Sequence, residues 1–329
     1  MNALCLHAPR QLARIELAEP ADPGPGQALV AVRHIGLCGT DVSGYLGKMP
    51  FIQYPRILGH ELGVEILRLG PDVGQLQPGD LCAVEPYLHC GHCHACTQGR
   101  TNCCEQLRVL GVHTDGGMVE RLLLPAAKLH PSRTLTTEQL ALVETLGIGR
   151  HAVDRAQLAA GEDVVILGAG PIGLSVLEFV RHGERTITVM DLNAQRREFV
   201  ATHYPDVQVL ADPPAGFHAQ VVFDATGSAL SMARALHLAR FTGRVVWVGI
   251  TAEPVALDDA LFHRRELTLL ASRNALSADF PRIIHAIETG QIDTRPWMTH
   301  RASLADLPQL LPEWLDTPGP CWVKAILTP

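Results

Sequence analysis

DVVILGAGPIG, residues 163–173, decides the fold. An apolar run leads straight into Gly168, Gly170 and Gly173, spaced Gly-x-Gly-x-x-Gly, with Pro171 and Ile172 filling the interval before the third glycine. In a strand that turns at once into a helix, the first glycine permits the tight bend and the second lets backbone approach a phosphate. The third lets the helix sit close against the sheet. The new helix also presents unpaired N–H groups at its start, which suit an anion. The next apolar strand, TITVM (186–190), ends at Asp191. A carboxylate there accepts hydrogen bonds from ribose hydroxyls and repels a 2′-phosphate, so the segment predicts a bound dinucleotide, NAD in preference to NADP. Arg196 and Arg197, in the helical pattern that follows, are the side chains able to hold a phosphate instead.

Outward from this turn, apolar strands recur at 164–168, 186–190, 207–210, 220–224, 244–249 and 267–271. Helical patterns separate most of them. One spans 171–182 and stops at Gly183, one spans 193–204 with Asn193 as cap, and one spans 228–240 with Ser228 as cap, before Gly243. Such alternation predicts a parallel sheet covered on both faces. Upstream, QALVAVRHI (27–35) and LGVEILRL (62–69) are short β-rich runs set between turns such as Pro23-Gly24-Pro25-Gly26 and Gln77-Pro78-Gly79-Asp80. They predict an antiparallel, barrel-like first half. The tail carries one clear helix, 277–289, with Ser277 as cap and Gly290 after it, and then a Pro-rich stretch.

A chain of 329 residues is long enough for two domains, and 47% hydrophobic with 19% charged residues is a globular composition. Lys and Arg total 27 against 34 Asp and Glu, a net charge of −7 that lacks the basic footprint of a nucleic-acid binder. No run of 18 apolar residues occurs and the N-terminus has no signal-peptide pattern, so we expect a soluble cytoplasmic protein without a membrane partner. Only Lys48, Lys128 and Lys324 are lysines, and none lies four residues after a tyrosine, which argues against a Tyr-x-x-x-Lys reductase.

Five of nine cysteines crowd into CGHCHACTQGRTNCC, where four of them, Cys90, Cys93, Cys96 and Cys104, have the spacing Cys-x2-Cys-x2-Cys-x7-Cys. Four thiolates so placed can close a tetrahedral shell around zinc with no position left for water, the mark of a structural site. Cys103 competes with Cys104 for the fourth place.

GLCGTD (36–41), GHE (59–61), the cysteine lobe and GAGPIG follow one another in an order that resembles the zinc-dependent medium-chain alcohol dehydrogenase family over essentially the whole chain. The resemblance implies an α/β protein with a GroES-like β-barrel catalytic domain over 1–145, its zinc lobe at about 88–106. A Rossmann doubly wound parallel-sheet domain binding NAD would occupy 146–271, and 272–329 would return to the catalytic domain. It implies two zinc ions per chain: a catalytic one at Cys38, His60, Glu61 and Glu144, and a structural one held by Cys104 rather than Cys103. Asp41 would orient His60, and Thr40 would pass the substrate proton outward. Ser43 stands where relatives often carry His in the outer relay, and Thr145 where many have Pro after the glutamate.

GRTNCC (99–104), VLGVHTDGGM (109–118), DATG (224–227) and FHRRELTLLASRNALSADF (262–280) are similar to sugar-acid members such as L-galactonate and L-gulonate 5-dehydrogenases. Arg273 matches an arginine that contacts substrate in polyol relatives, and a planar guanidinium suits a carboxylate or vicinal hydroxyls. The expected activity is hydride transfer to NAD from a secondary hydroxyl of a sugar acid or polyol, giving a ketone, in a homodimer or homotetramer. Threonine or simple alcohol oxidation, or a non-catalytic NAD-binding regulatory protein, are the alternatives.

Overall fold

Val164–Leu167, the apolar run before the glycine turn, is buried along its whole length inside a six-stranded sheet of the computed structural model, which describes residues 1–316 and 321–329. From edge to edge the strands are Gln208–Leu210, Ile187–Met190, Val164–Leu167, Ala219–Asp224, Ala239–Trp247 and Thr268–Ala271, every neighbour parallel. This is the doubly wound order, in which strand succession reverses beside the first strand and leaves a crevice at the carboxyl ends. Val165, Val222 and Val245 pack with Ala235 and Leu236 of helix Ala229–Leu238 in one apolar cluster. Each buried valine or leucine among them contributes roughly 1.5–3 kcal/mol.

The caps at Asn193 and Ser228 are present: Asn193 Oδ1 accepts from the N–H groups of Gln195 and Arg196, and Ser228 Oγ from that of Ser231. Several boundaries differ from expectation: the strand expected at 244–249 runs Ala239–Trp247, and the helix expected over 171–182 ends at Val180. The helix expected to reach 240 ends at Leu238, because Ala239 already pairs with Ala219 in the parallel sheet. Ser277 is no cap: the helix is Asp279–Glu288 with Ala278 at its N-cap, and the Ser277 side chain hydrogen-bonds with Glu85.

The chain divides into two units, Met1–Glu144 with Leu276–Pro329, and Thr145–Ala275. The first is built on a largely antiparallel sheet ordered Leu129–Ser132, Leu81–Val84, Glu61–Leu69, Gln27–Leu37, Lys324–Thr328 and Met298–Ser303, with Arg121–Pro125 also paired to Gln27–Leu37. A second sheet joins Gln11–Glu16, Asn2–Ala8 and Arg56–Ile57, and Tyr87–Leu88 forms a ribbon with Arg108–Val109. Lys324–Thr328 lies antiparallel to Gln27–Leu37, with Ala325 opposite Leu37, so the tail completes this sheet. Helix Leu307–Asp316 occupies part of the Pro-rich tail, of which 317–320 lie outside the described residues. Among the described residues no helix is long and apolar enough to cross a membrane.

Candidate metal centres and dinucleotide turn

Cys38 is the extended residue that caps helix Gly39–Tyr45. Its Sγ accepts from the Thr40 N–H at 3.5 Å, while Asp41 Oδ2 accepts from the Cys38 N–H at 3.0 Å. This reciprocal cap fixes the thiol. The other Asp41 oxygen accepts from the Gly59 N–H at 3.3 Å and faces His60 Nδ1 at 3.6 Å, so one buried carboxylate ties the Cys38 turn to the His60 turn. Glu61 opens its strand directly opposite Gly36. A Cβ at position 36 would stand 2.1 Å from Glu61 Oε2, which explains the first glycine of GLCGTD.

One donor atom each from Cys38, His60 and Glu61 lies within 4.8 Å of the others. Thiolate, imidazole and carboxylate are the zinc donor types. Burial alone would lower the His60 pKa, yet Asp41 and Cys38, with Glu144 behind them, hold it well above the ordinary value. The buried His60 Nδ1 has no hydrogen-bond partner. The pocket thus collects anionic groups around an imidazole and favours positive charge, which fits a divalent cation. Thr40 and Ser43, three residues apart on the helix after Cys38, share a face and are partly buried.

Sequence reasoning missed Lys324, whose Nζ donates to both Glu61 oxygens at 2.6 and 2.7 Å, with both residues buried. Burial alone would lower the Lys324 pKa, but Glu61 and then Cys38 raise it, so the ammonium is retained. Its signal was a lysine set in the apolar strand VKAIL, in a chain with only three lysines. Lys324→Met is expected to lower the stability of metal-free protein by about 3–5 kcal/mol, since it strands a buried carboxylate. Denaturant unfolding checks this, and a change below about 1 kcal/mol contradicts the pairing.

Glu144 stands in the first turn of helix Val143–Ala156 and is buried, but it lies outside the three-residue donor group. Its Oε1 accepts from Tyr87 Oη, a second residue that sequence reasoning missed. Beside Tyr87, buried Glu85 pairs with Lys128, and His130 Nε2 lies 3.4 Å from the same carboxylate.

Cys90, Cys93, Cys96 and Cys104 also lie within 4.8 Å of one another, whereas Cys103 is exposed and outside the group. Backbone N–H groups turn inward: Cys104 Sγ accepts from Cys90 and Gln106 at 3.3 Å, and Cys90 Sγ from Cys93 at 3.4 Å. Hydrogen bonds from the backbone of Glu105 and Cys96 lower Cys93 to about 6, while desolvation pushes Cys96 up to about 12. A cluster that already stabilises a thiolate suits a metal ion.

In the second unit Gly168 has φ +94°, and a Cβ at Gly173 would fall 1.7 Å from the Gly168 carbonyl oxygen. Helix Pro171–Val180 follows with Gly170 as N-cap and no side-chain cap, leaving its first N–H groups available to a phosphate. Asp191 accepts from the Ala169 N–H at 2.7 Å and the Asn193 N–H at 2.8 Å, which holds the carboxylate against the turn. Arg196 Nη1 lies 3.7 Å from Asp191 Oδ2, while Arg197 is engaged by the carbonyls of Asp191 and Leu192. These residues fit a dinucleotide. Arg273 follows strand Thr268–Ala271 in this unit and is exposed.

Residues 24–134 match the alcohol dehydrogenase GroES-like domain, and 171–289 the zinc-binding dehydrogenase domain. The chain is 39% identical to L-galactonate-5-dehydrogenase of Escherichia coli K12 over 93% of each chain. It is 33% identical to 2-dehydro-3-deoxy-L-galactonate 5-dehydrogenase of Pseudoalteromonas atlantica over 87% of each. The crystal structure of an alcohol dehydrogenase (rspB) of E. coli CFT073 with NADH superposes with a TM-score of 0.91 at 28% identity, covering 100% of this chain and 99% of that one.

Proposed function

This chain belongs to the zinc-dependent medium-chain alcohol dehydrogenase family, and on that premise we propose that it oxidises a secondary hydroxyl of an aldonate to a ketone, with NAD as hydride acceptor. The observation that carries the reading is the cluster of partly buried Cys38 with buried His60 and Glu61, in a chain whose glycine turn is closed by Asp191. When bound, zinc supplies Lewis-acid polarisation of a hydroxyl and NAD supplies the hydride acceptor.

The protein's own groups do the rest. Cys38, His60 and one of the two carboxylates, Glu61 or Glu144, would hold the metal, while Asp41 faces the ring of His60, 3.6 Å from Nδ1. The Thr40 hydroxyl takes the substrate proton outward, with Ser43 next on the same helix face. The N–H groups after Gly170 receive the pyrophosphate, with Pro171, Ile172 and Gly173 shaping that turn and Arg196 beside it. Asp191 accepts from the ribose hydroxyls and disfavours a 2′-phosphate. Cys90, Cys93, Cys96 and Cys104 hold a structural zinc. Arg273 pairs with the substrate carboxylate, and the enzyme works in the cytoplasm as a homodimer or homotetramer.

The aldonate rests on the names of the two relatives, both of which act on galactonate derivatives. The test is NADH formation by zinc-loaded protein across aldonates, alditols, threonine and simple secondary alcohols. We expect turnover of an aldonate and preference for NAD over NADP. Turnover confined to alditols or threonine keeps the chemistry and removes the role of Arg273. No turnover, with two zinc ions and NAD bound, overturns the enzymatic reading in favour of a regulatory protein.

A further inference from the structure

The two carboxylates near His60 are held differently. Lys324 engages both oxygens of Glu61. Among the described residues Glu144 accepts one hydrogen bond, on Oε1 from Tyr87, and its other oxygen accepts none. Glu144 and Cys38 both lie close enough to His60 to act on its charge.

The phenol that makes this bond is immobilised. Tyr87 is 2% exposed and sits on the two-residue strand that leads into the cysteine lobe. Its ring meets Phe280 edge-on, with centroids 6.4 Å apart and planes at 72°. Phe280 in turn stacks on His130 at 4.7 Å and 18°, and His130 faces Glu85, which is paired with Lys128. Aromatic packing and a buried ion pair therefore hold one hydroxyl against one oxygen of one carboxylate. A donor held this rigidly decides which lone pairs of that carboxylate remain available.

We propose that Tyr87 is a positioning residue: by holding Glu144 Oε1, it leaves Oε2 as the oxygen that addresses the metal at Cys38 and His60, and it limits Glu144 to one-oxygen contact. This rests on the reading of that cluster as a zinc site. Tyr87 itself does not touch substrate or cofactor.

The test uses the full chain with cobalt in place of zinc and compares Tyr87→Phe, Glu144→Gln and the double variant. Tyr87→Phe keeps the ring and its packing, so two metal ions per chain are expected to remain, with the melting temperature lowered by a few degrees at most for the lost bond to Glu144. The cobalt visible bands should shift, and metal transfer from this site to a chelator should speed up by about tenfold, the lower end of effects seen when a ligand's hydrogen-bond partner is removed. In the Glu144→Gln background, Tyr87→Phe should add nothing further. An unchanged spectrum and transfer rate in Tyr87→Phe, or the same increments with Glu144 absent, overturns the proposal. Wild-type protein that holds a metal ion in the cysteine lobe alone overturns the zinc-site reading itself. Two ions with a silent Tyr87→Phe variant overturns only the role of Tyr87.

Discussion

Cys38→Ser is expected to abolish measurable NAD-dependent turnover while leaving the fold intact. Serine is a good helix N-cap, so the bond now made by Cys38 Sγ to the Thr40 N–H has a replacement, and helix Gly39–Tyr45 should persist. What is lost is the soft donor in a set of three. A bound metal contributes several kcal/mol to stabilising charge at the reacting oxygen. At about 1.4 kcal/mol per tenfold, its loss lowers kcat/KM by about a thousandfold or more. Metal analysis should show the zinc content falling from two to one per chain, with the melting temperature little changed. Full activity with one zinc, or two zinc ions retained, contradicts the assignment of Cys38.

Cys93→Ser should have the opposite profile. Between Cys90 and Cys104 the chain has only the four-residue helix His94–Thr97 and the turn Thr101–Cys103, with no strand to hold it. Few large apolar side chains are buried there, so the four sulfurs are the core of this lobe. Structural zinc binding is worth about 10–16 kcal/mol in small zinc-dependent folds, and removing one ligand forfeits much of it. We expect one zinc per chain, held at the other centre, together with rapid hydrogen exchange and proteolytic cleavage confined to residues 90–104. Unchanged zinc content and protection in the variant contradict a structural site.

The parts legible in the sequence are those whose physics is local. The glycine turn, Asp191, the caps at Asn193 and Ser228 and the closely spaced cysteines are each defined within a few residues, and their spacing alone brings the groups together. Cys38, His60 and Glu61 were reached only through the family resemblance, since nothing local places residue 38 beside residue 60. The pairing of Gly36 with Glu61 in the sheet does that. Lys324 was invisible for the same reason: its partner is 263 residues away, and only the register of the returning strand joins them. Tyr87 reads in sequence as an ordinary β-former and acquires its meaning from Glu144, 57 residues on. Ser277 shows the converse error, a good local cap signal overridden by a distant carboxylate, Glu85.

The central claim is direct hydride transfer from a sugar-acid carbon to NAD on this chain. Its most direct test is incubation of zinc-loaded protein with NAD and a panel of aldonates deuterated at their secondary carbinol carbons, followed by mass analysis of the reduced dinucleotide. Direct transfer gives reduced dinucleotide one mass unit heavier than with unlabelled aldonate, and none after zinc is stripped from the protein. Reduced dinucleotide without the label, or none at all from zinc-loaded protein that has bound NAD, would contradict it.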